Sequence, residues 1–128
     1  MTPELTYLTY AVILLIAHMF IQATASDLSK GIGWALGPQD EQRDPSIVAG
    51  RLERALTNYA YNLPAFIALA LMLRVTDLGT ATTATGAALW FWARLAYIPA
   101  YASGLPLVRS IAWVASLIGL VMMLLPLL

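Results

Sequence analysis

The sequence contains no cysteine and only one histidine among its 128 residues. The absence of cysteine excludes a disulfide framework, a thiolate metal site and a cysteine nucleophile. Because the apolar segments also contain no carboxylate well inside them, we do not expect a zinc or iron site held by protein ligands.

Charge is scarce as well. Only 11% of the residues are charged, whereas soluble domains carry about 25%. The formal net charge is zero, so the sequence indicates no nucleic-acid partner.

Long apolar runs take the place of the missing charge, and 60% of the residues are hydrophobic. His18 and Gln22 are the strongly polar side chains of residues 5–25, and Arg109 is the one in residues 107–128. A helix needs about 20 residues to cross the hydrocarbon core of a bilayer. The first run lacks a basic leader and a small-residue cleavage site, so we interpret it as a retained span. The sequence therefore predicts an all-α integral membrane protein.

Four spans fit the pattern within a single domain of residues 1–128. The predicted spans cover approximately residues 5–25, 50–75, 81–101 and 107–127. A long polar loop follows the first span, whereas glycine and proline mark tight turns after the second and third. Short turns make consecutive helices antiparallel neighbours, so we expect the last three spans to form one compact unit.

The basic residues predict the orientation in the membrane. Arg74 alone lies on the side of the second loop, and the first and third loops contain or adjoin five basic residues, namely Lys30, Arg43, Arg51, Arg54 and Arg109. Positive charge favours the cytoplasmic side. We therefore expect the loop of residues 26–49 in the cytoplasm and both termini outside.

Polar side chains form stripes at the predicted cytoplasmic ends of three spans. At 100° per residue, the polar residues of span two lie within an arc of about 100°. The stripe of span two consists of Arg51, Arg54, Asn58, Tyr61 and Asn62, that of span three of Trp90, Arg94, Tyr97 and Tyr101, and span four opens with Arg109 and Ser110. Glu53 falls on the far side, as a headgroup-level residue or a partner for a basic group on another helix.

An arginine inside a span costs about 2.5 to 3.5 kcal/mol on insertion scales, and the spans contain no matching row of acids. The arrangement favours an anionic ligand in a cleft between helices. Asparagine and tyrosine both donate and accept hydrogen bonds, which indicates amide or amine groups on that ligand. The alternative is that the arginines extend separately to lipid phosphates, which we favour for Arg51 and Arg74 taken individually.

Other polar and aromatic residues in the spans have simpler interpretations. We expect His18 and Gln22 to make hydrogen bonds between helices. Trp113 is interpreted as a packing or interface residue, and Trp90 and Trp92 as core residues.

Two stretches together resemble a known family. The segment RLERALTNYAYNLPAF and the segment ARLAYIPAYASGLPLVRS are similar to the second-helix motif and to the third-to-fourth-helix region of the membrane-associated proteins in eicosanoid and glutathione metabolism, the MAPEG family. The resemblance covers nearly the whole chain and points to a bacterial-type member. It implies a homotrimer of four-helix bundles in the bacterial inner membrane.

The resemblance also implies a function and a site. In that family glutathione, the co-substrate, lies between subunits near the cytoplasmic face, and lipophilic electrophiles or lipid hydroperoxides enter from the bilayer. Arg109 and Ser110 are thereby expected to act on the sulfur, with no metal, and Arg51 to brace the interface. The residues expected to bind glutathione are Arg54, Asn58, Tyr61, Asn62, Arg94, Tyr97 and Tyr101.

Two departures from the family pattern keep a second function open. Tyr61 stands where the family usually has an acid, a partner for the glutathione amine, and the basic residues usual at the end of the first helix are reduced to Lys30. The alternative is a non-catalytic subunit that binds lipid or belongs to a larger membrane complex. A four-helix drug exporter is disfavoured because proton coupling generally uses a carboxylate inside the membrane.

Overall fold

The computed structural model describes all residues from 1 to 128, and every regular element in it is helical. The helices are α1 (Pro3–Lys30), α2 (Ile32–Ala35), α3 (Ile47–Thr76), α4 (Ala81–Ala102) and α5 (Pro106–Leu124), and a short 3₁₀ helix (Leu125–Leu127) ends the chain. No strand is present, so the predicted all-α class is confirmed.

Local sequence signals fix the ends of these helices. The Ser46 side chain accepts from the amide of Ala49 at the start of α3. At the start of α4, Thr80 and Thr83 form a reciprocal capping box, which satisfies amides that the helix itself leaves free. Asp77 ends α3 in the left-handed conformation. The two tight turns predicted between α3 and α4 and between α4 and α5 are therefore present.

The predicted polar loop of residues 26–49 is partly helical. Helix α1 continues to Lys30 and stops at Gly31, whose φ of 103° favours glycine. After the short α2, the indole of Trp34 donates to the carbonyl of Glu41 over 2.6 Å, and Arg43 donates to the carbonyl of Lys30 over 2.8 Å. The loop thus folds back on the end of α1.

Three helices are long and apolar enough to cross a membrane: α1, α3, and α5 together with the 3₁₀ helix. Helix α4 forms where the third span was predicted, but it is not among these three. Its first turns contain Thr82, Thr83 and Thr85, and Arg94 follows near its middle, so that no long stretch of α4 has as high a mean hydropathy as the stretches found in the other three helices. Much of this polarity is hidden, because Thr83 and Arg94 are fully buried.

All four long helices pack against one another around one core. The compact unit predicted for α3, α4 and α5 therefore also includes α1. In the core the rings of Phe66 and Trp90 stack at 4.1 Å between centroids. The core position predicted for Trp90 is confirmed. The one predicted for Trp92 is wrong, since its side chain is 58% exposed. Two residues rotate a helix by about 200°, so Trp92 points to the opposite face.

Polar contacts tie α1 to the other helices at three depths. The Thr83 hydroxyl of α4 donates to the buried carboxylate of Glu4 at the first turn of α1. The Tyr59 hydroxyl of α3 donates to the carbonyl of Ala11 over 2.7 Å. His18 Nε2 lies 3.2 Å from the carbonyl of Leu52, which confirms the interhelical role predicted for His18. Gln22 makes no such bond.

The buried hydroxyl of Tyr59 provides a test of this packing. We expect Tyr59→Phe to lower the free energy of unfolding by about 1 to 2 kcal/mol, because the carbonyl of Ala11 loses its buried side-chain donor. The matched control is Tyr10→Phe, since the Tyr10 ring is exposed. Thermal unfolding in detergent, followed by circular dichroism, measures both variants. Equal melting temperatures for the two would contradict the assignment.

Candidate functional site

A cavity opens at the end of the bundle where α3 and α5 begin and α4 ends. Its volume is about 500 Å³, and its lining residues are Arg54, Asn58, Tyr97, Tyr101, Arg109, Ser110, Trp113 and Val114. The first six of these are residues that the sequence analysis singled out. We call this space the arginine cavity.

Two arginines meet at one tyrosine in the wall of the cavity. Arg54 Nε donates to the Tyr101 hydroxyl over 3.1 Å. The guanidinium carbon of Arg109 lies 4.7 Å from the centroid of the Tyr101 ring, within the range of a cation–π contact. The phenol ring thus holds two positive charges from α3 and α5 close together.

No carboxylate neutralises these arginines. The one salt bridge in the structure joins Arg43 to Glu41 in the loop, and the residues that line the arginine cavity include no Asp or Glu. Arg54 and Arg109 therefore direct uncompensated positive charge into a partly enclosed space. Such a site favours an anionic group.

Arg94 lies behind the wall of the cavity rather than in its lining. The side chain is 0% exposed, and its Nη2 donates to Asn58 Oδ1 over 2.7 Å. The guanidinium also lies 4.5 Å from the centroid of the Tyr97 ring and 5.6 Å from that of Tyr59. Its Nε and Nη1 have no hydrogen-bond partner. Arg94 therefore positions Asn58 and Tyr97, and its charge lies just outside the cavity.

The bond to Arg94 determines what Asn58 can offer. Asn58 Oδ1 accepts from Arg94, and it also lies 3.4 Å from Asn62 Nδ2. With the oxygen engaged, the amide nitrogen of Asn58 is free to donate into the cavity. Asn62 donates to the Asn58 carbonyl over 2.9 Å and is not part of the lining, so it supports Asn58.

Arg51 braces the turn between α4 and α5. Its Nη1 donates to the carbonyl of Ala102 over 3.3 Å. Gly104 lies against the guanidinium, where an added Cβ would be 2.8 Å from Arg51 Cζ, and its φ of 74° also favours glycine. A smaller recess of about 200 Å³ adjoins the arginine cavity here, lined by Arg51, Arg54, Tyr101, Gly104, Pro106 and Arg109.

The structure does not bring Tyr61 into the cavity of its own chain. The Tyr61 side chain is 82% exposed and lines a separate groove on the outer side of α3. Ser110 does line the cavity, and its hydroxyl donates to the carbonyl of Pro106 over 2.9 Å. The Ser110 oxygen can still accept a hydrogen bond, and the hydroxyl can rotate toward a ligand.

Three residues of the site were not predicted to belong to it. Trp113 and Val114 line the cavity, and Tyr59 supports Arg94. The signal for the first two was available, because they follow Arg109 and Ser110 by four residues and therefore share their helix face. Tyr59 gives no such signal, since it lies beside the polar stripe in sequence and on the buried face of α3.

The side chains provide no group of three or more His, Cys, Asp or Glu residues that could hold a metal ion. The polar groups that line the arginine cavity are guanidinium, amide, phenol and hydroxyl groups. These groups bind and stabilise anions in a partly apolar pocket.

Comparison with known proteins identified a family to which the chain is similar. The model of the MAPEG family matches residues 6–128, a range that includes every residue lining the arginine cavity. The resemblance found in the two sequence motifs is thereby confirmed over nearly the whole chain. Neither the curated proteins nor the solved structures gave a match.

Proposed function

The chain belongs to the MAPEG family, a family of membrane proteins of eicosanoid and glutathione metabolism, and on that premise we propose that it is a glutathione-dependent transferase or peroxidase. Its substrates are lipophilic electrophiles or lipid hydroperoxides. The observation that carries the proposal is the convergence of Arg54 and Arg109 on one cavity that contains no carboxylate. Glutathione is an anion with amide groups, and the cavity provides matching cations and donors.

The proposed chemistry requires glutathione as a thiolate. A free thiol has a pKa of about 8.5, so most of it is protonated at neutral pH, whereas the thiolate is the nucleophile. The guanidinium of Arg109 stabilises the anion, and Ser110 donates a further hydrogen bond. A shift of one pKa unit corresponds to about 1.4 kcal/mol.

Two reactions follow from a bound thiolate. With an electrophile, sulfur forms a bond to carbon as the leaving group departs with its electron pair. With a hydroperoxide, sulfur attacks the terminal oxygen, the O–O bond breaks and an alcohol leaves after protonation. A second glutathione then reduces the sulfenic acid to the disulfide and water. Neither reaction needs a metal.

The family assignment also guides the proposed assembly. We propose that α4 spans the bilayer too, because its 22 residues extend about 33 Å at 1.5 Å per residue and its most polar groups face protein. The protein is then a bundle of four spanning helices that assembles as a homotrimer. The distribution of basic residues favours residues 26–49 in the cytoplasm and both termini outside.

The proposal is tested with purified wild-type protein in detergent. Added glutathione is expected to show the ultraviolet absorbance of a thiolate at a pH where free glutathione shows little. The same spectrum with S-methylglutathione, which has no thiol, is the control. If the wild-type protein is a stable trimer but produces no thiolate absorbance, the enzyme hypothesis is wrong.

That outcome would favour the second candidate, a non-catalytic subunit that binds lipid or belongs to a larger membrane complex. One observation supports this alternative: Tyr61 replaces the usual acid and lies outside the cavity of its own chain. A phenol provides no charge to pair with the amine of glutathione.

Arg54 provides a prediction specific to binding. We expect Arg54→Ala to weaken the affinity for glutathione about tenfold to a hundredfold, because a hydrogen bond to a charged group contributes about 1.5 to 3 kcal/mol. The control is Arg74→Ala, which removes an exposed arginine at the other end of α3. Equilibrium dialysis with labelled glutathione measures both. Unchanged affinity in Arg54→Ala would show that Arg54 does not contact the ligand.

A further inference from the structure

A second polar cavity lies at the opposite end of the bundle from the arginine cavity. It is formed where α1 and α4 begin and α3 ends, and its volume is about 340 Å³. The charged residues in its lining are Glu4, Arg74 and Asp77, and the hydroxyl residues are Thr2 and Thr80. We call this space the Glu4 cavity. None of these residues lines the arginine cavity, so the proposed function does not account for them.

Glu4 provides a buried carboxylate in this cavity. The residue is 3% exposed. The Thr83 hydroxyl donates to its Oε1, whereas its Oε2 has no hydrogen-bond partner within the chain. Gly79, which also lines the cavity, lies beside the carboxylate, since a Cβ added there would be 3.6 Å from Oε1 and 3.9 Å from Oε2. Residue 79 therefore has no side chain that would cover the carboxylate from the cavity.

The carboxylate of Glu4 lacks a positive partner. The one salt bridge in the chain joins Arg43 to Glu41, so neither Glu4 nor Asp77 is paired with a basic group. Removing a carboxylate from water costs free energy, and one hydrogen bond from a neutral hydroxyl offsets that cost only in part. The position of Glu4 in the first turn of α1 stabilises its negative charge. The cavity is therefore suited to a cationic group.

The same cavity provides donors for an anionic group. Arg74 lies in the last turn of α3 and has no acidic partner. Thr2 Oγ1 accepts from the amide of Leu5, and Thr80 Oγ1 accepts from the amide of Thr83, so both hydroxyl hydrogens are free to donate. The N-terminal ends of α1 and α4 add positive potential. Sites for a cation and for an anion lie in one cavity, which matches a zwitterionic ligand.

The depth of the cavity indicates that this zwitterion is the headgroup of a lipid. Helices α1 and α3 are long and apolar enough to cross a membrane, and the cavity lies at their ends, where the headgroups of the bilayer lie. Apolar side chains accompany the polar ones: Leu73 lines the cavity, and Val75 and Leu78 beside it are exposed. These side chains suit the acyl chains of the same lipid molecule.

We propose that the Glu4 cavity binds the headgroup of phosphatidylethanolamine in the leaflet on the side of the termini. The primary ammonium group contacts the carboxylate of Glu4, and the phosphate contacts Arg74 and the free hydroxyls. The trimethylammonium group of phosphatidylcholine has no N–H to donate, and phosphatidylglycerol has no cation, so the site selects phosphatidylethanolamine. It requires no thiol, and its occupancy is therefore independent of whether the protein binds glutathione.

Native mass spectrometry of the wild-type protein in detergent measures this selectivity with short-chain lipids. We expect dihexanoyl-phosphatidylethanolamine to bind about tenfold more tightly than phosphatidylcholine or phosphatidylglycerol of the same chain length, because only its ammonium group forms charge-assisted hydrogen bonds with the carboxylate. Glycerophosphoethanolamine, the same headgroup without acyl chains, should bind more weakly than the lipid. Equal affinity for the three lipids would overturn the proposal. Equal affinity for the soluble headgroup and the lipid would overturn the assignment of the ligand as a lipid.

Glu4→Gln tests the carboxylate itself. Glutamine keeps an oxygen that accepts from Thr83 but removes the charge, so we expect the affinity for phosphatidylethanolamine to fall about tenfold and that for phosphatidylcholine to stay unchanged. The matched control is Glu53→Gln, which removes an exposed carboxylate at the opposite end of the bundle and should change neither affinity. Unchanged selectivity in a folded Glu4→Gln protein would overturn the proposed contact. The comparison of lipids with the wild-type protein decides the proposal even if this variant does not fold.

Discussion

Arg109→Ala is expected to abolish the thiolate absorbance of glutathione bound to the protein. Arg109 lies in the first turn of α5 and lines the arginine cavity. Its guanidinium carbon lies 4.7 Å from the centroid of the Tyr101 ring, which holds the guanidinium in place. Without that charge, the bound thiol loses the interaction that favours its anion. If its pKa rises by one to two units, the ratio of thiolate to thiol falls roughly tenfold to a hundredfold.

Two further variants make this measurement specific. Arg109→Lys keeps the charge but not the planar group, so we expect it to retain part of the absorbance. Arg74→Ala removes an arginine from the opposite end of α3 and should leave the absorbance unchanged. Full absorbance in Arg109→Ala would show that this arginine does not act on the sulfur.

Gly119→Ala is expected to lower the free energy of unfolding of the bundle, because the added methyl group has no space between α4 and α5. At Gly119 an added Cβ would lie 2.6 Å from the carbonyl oxygen of Gly86 and 2.8 Å from the amide nitrogen of Trp90. These are backbone atoms, so the helices α4 and α5 must separate. Overpacking of this kind costs about 1 to 3 kcal/mol, and the loss of close backbone contact adds to it.

Gly33→Ala is the matched control, because nothing lies within 4 Å of a Cβ added there. Thermal unfolding in detergent measures both variants. Similar melting temperatures for Gly119→Ala and Gly33→Ala would show that α4 and α5 do not pack through their glycines.

Hydropathy and turn residues predicted most of the fold. The four long helices lie within a few residues of the predicted spans at most ends, because glycine, proline and capping residues mark where helices stop. The end of α1 was predicted five residues too early. The predicted span ends where the sequence becomes polar, because polar residues do not lie in the hydrocarbon core. Polar residues are compatible with a helix, however, so α1 continues to Lys30 and stops at Gly31.

Helical periodicity predicted the site less completely than the fold. It placed Arg54, Asn58 and Arg109 at one end of the bundle, where the structure brings them to one cavity. Periodicity could not show that these two other predicted site residues differ in position: Arg94 is buried behind the wall of the cavity, and Tyr61 is exposed on another side of the bundle. The angle of a residue around its own helix does not reveal which neighbour lies at that angle.

Contacts between helices could not be predicted from a single sequence for the same reason. The approach of Gly86 to Gly119 depends on the register of α4 against α5, and the bond from Thr83 to Glu4 joins residues 79 positions apart. Neither pair has a signature in the local sequence. Such pairs become visible only when the helices are assembled.

Titration of glutathione into the wild-type protein, followed by its heat of binding, tests the central claim most directly. The claim is that the arginines gather around a pocket for an anionic thiol. The account predicts saturable binding, with one site per subunit, that weakens as salt is added. Absence of saturable heat from a folded protein, at glutathione concentrations up to the millimolar range, would contradict it.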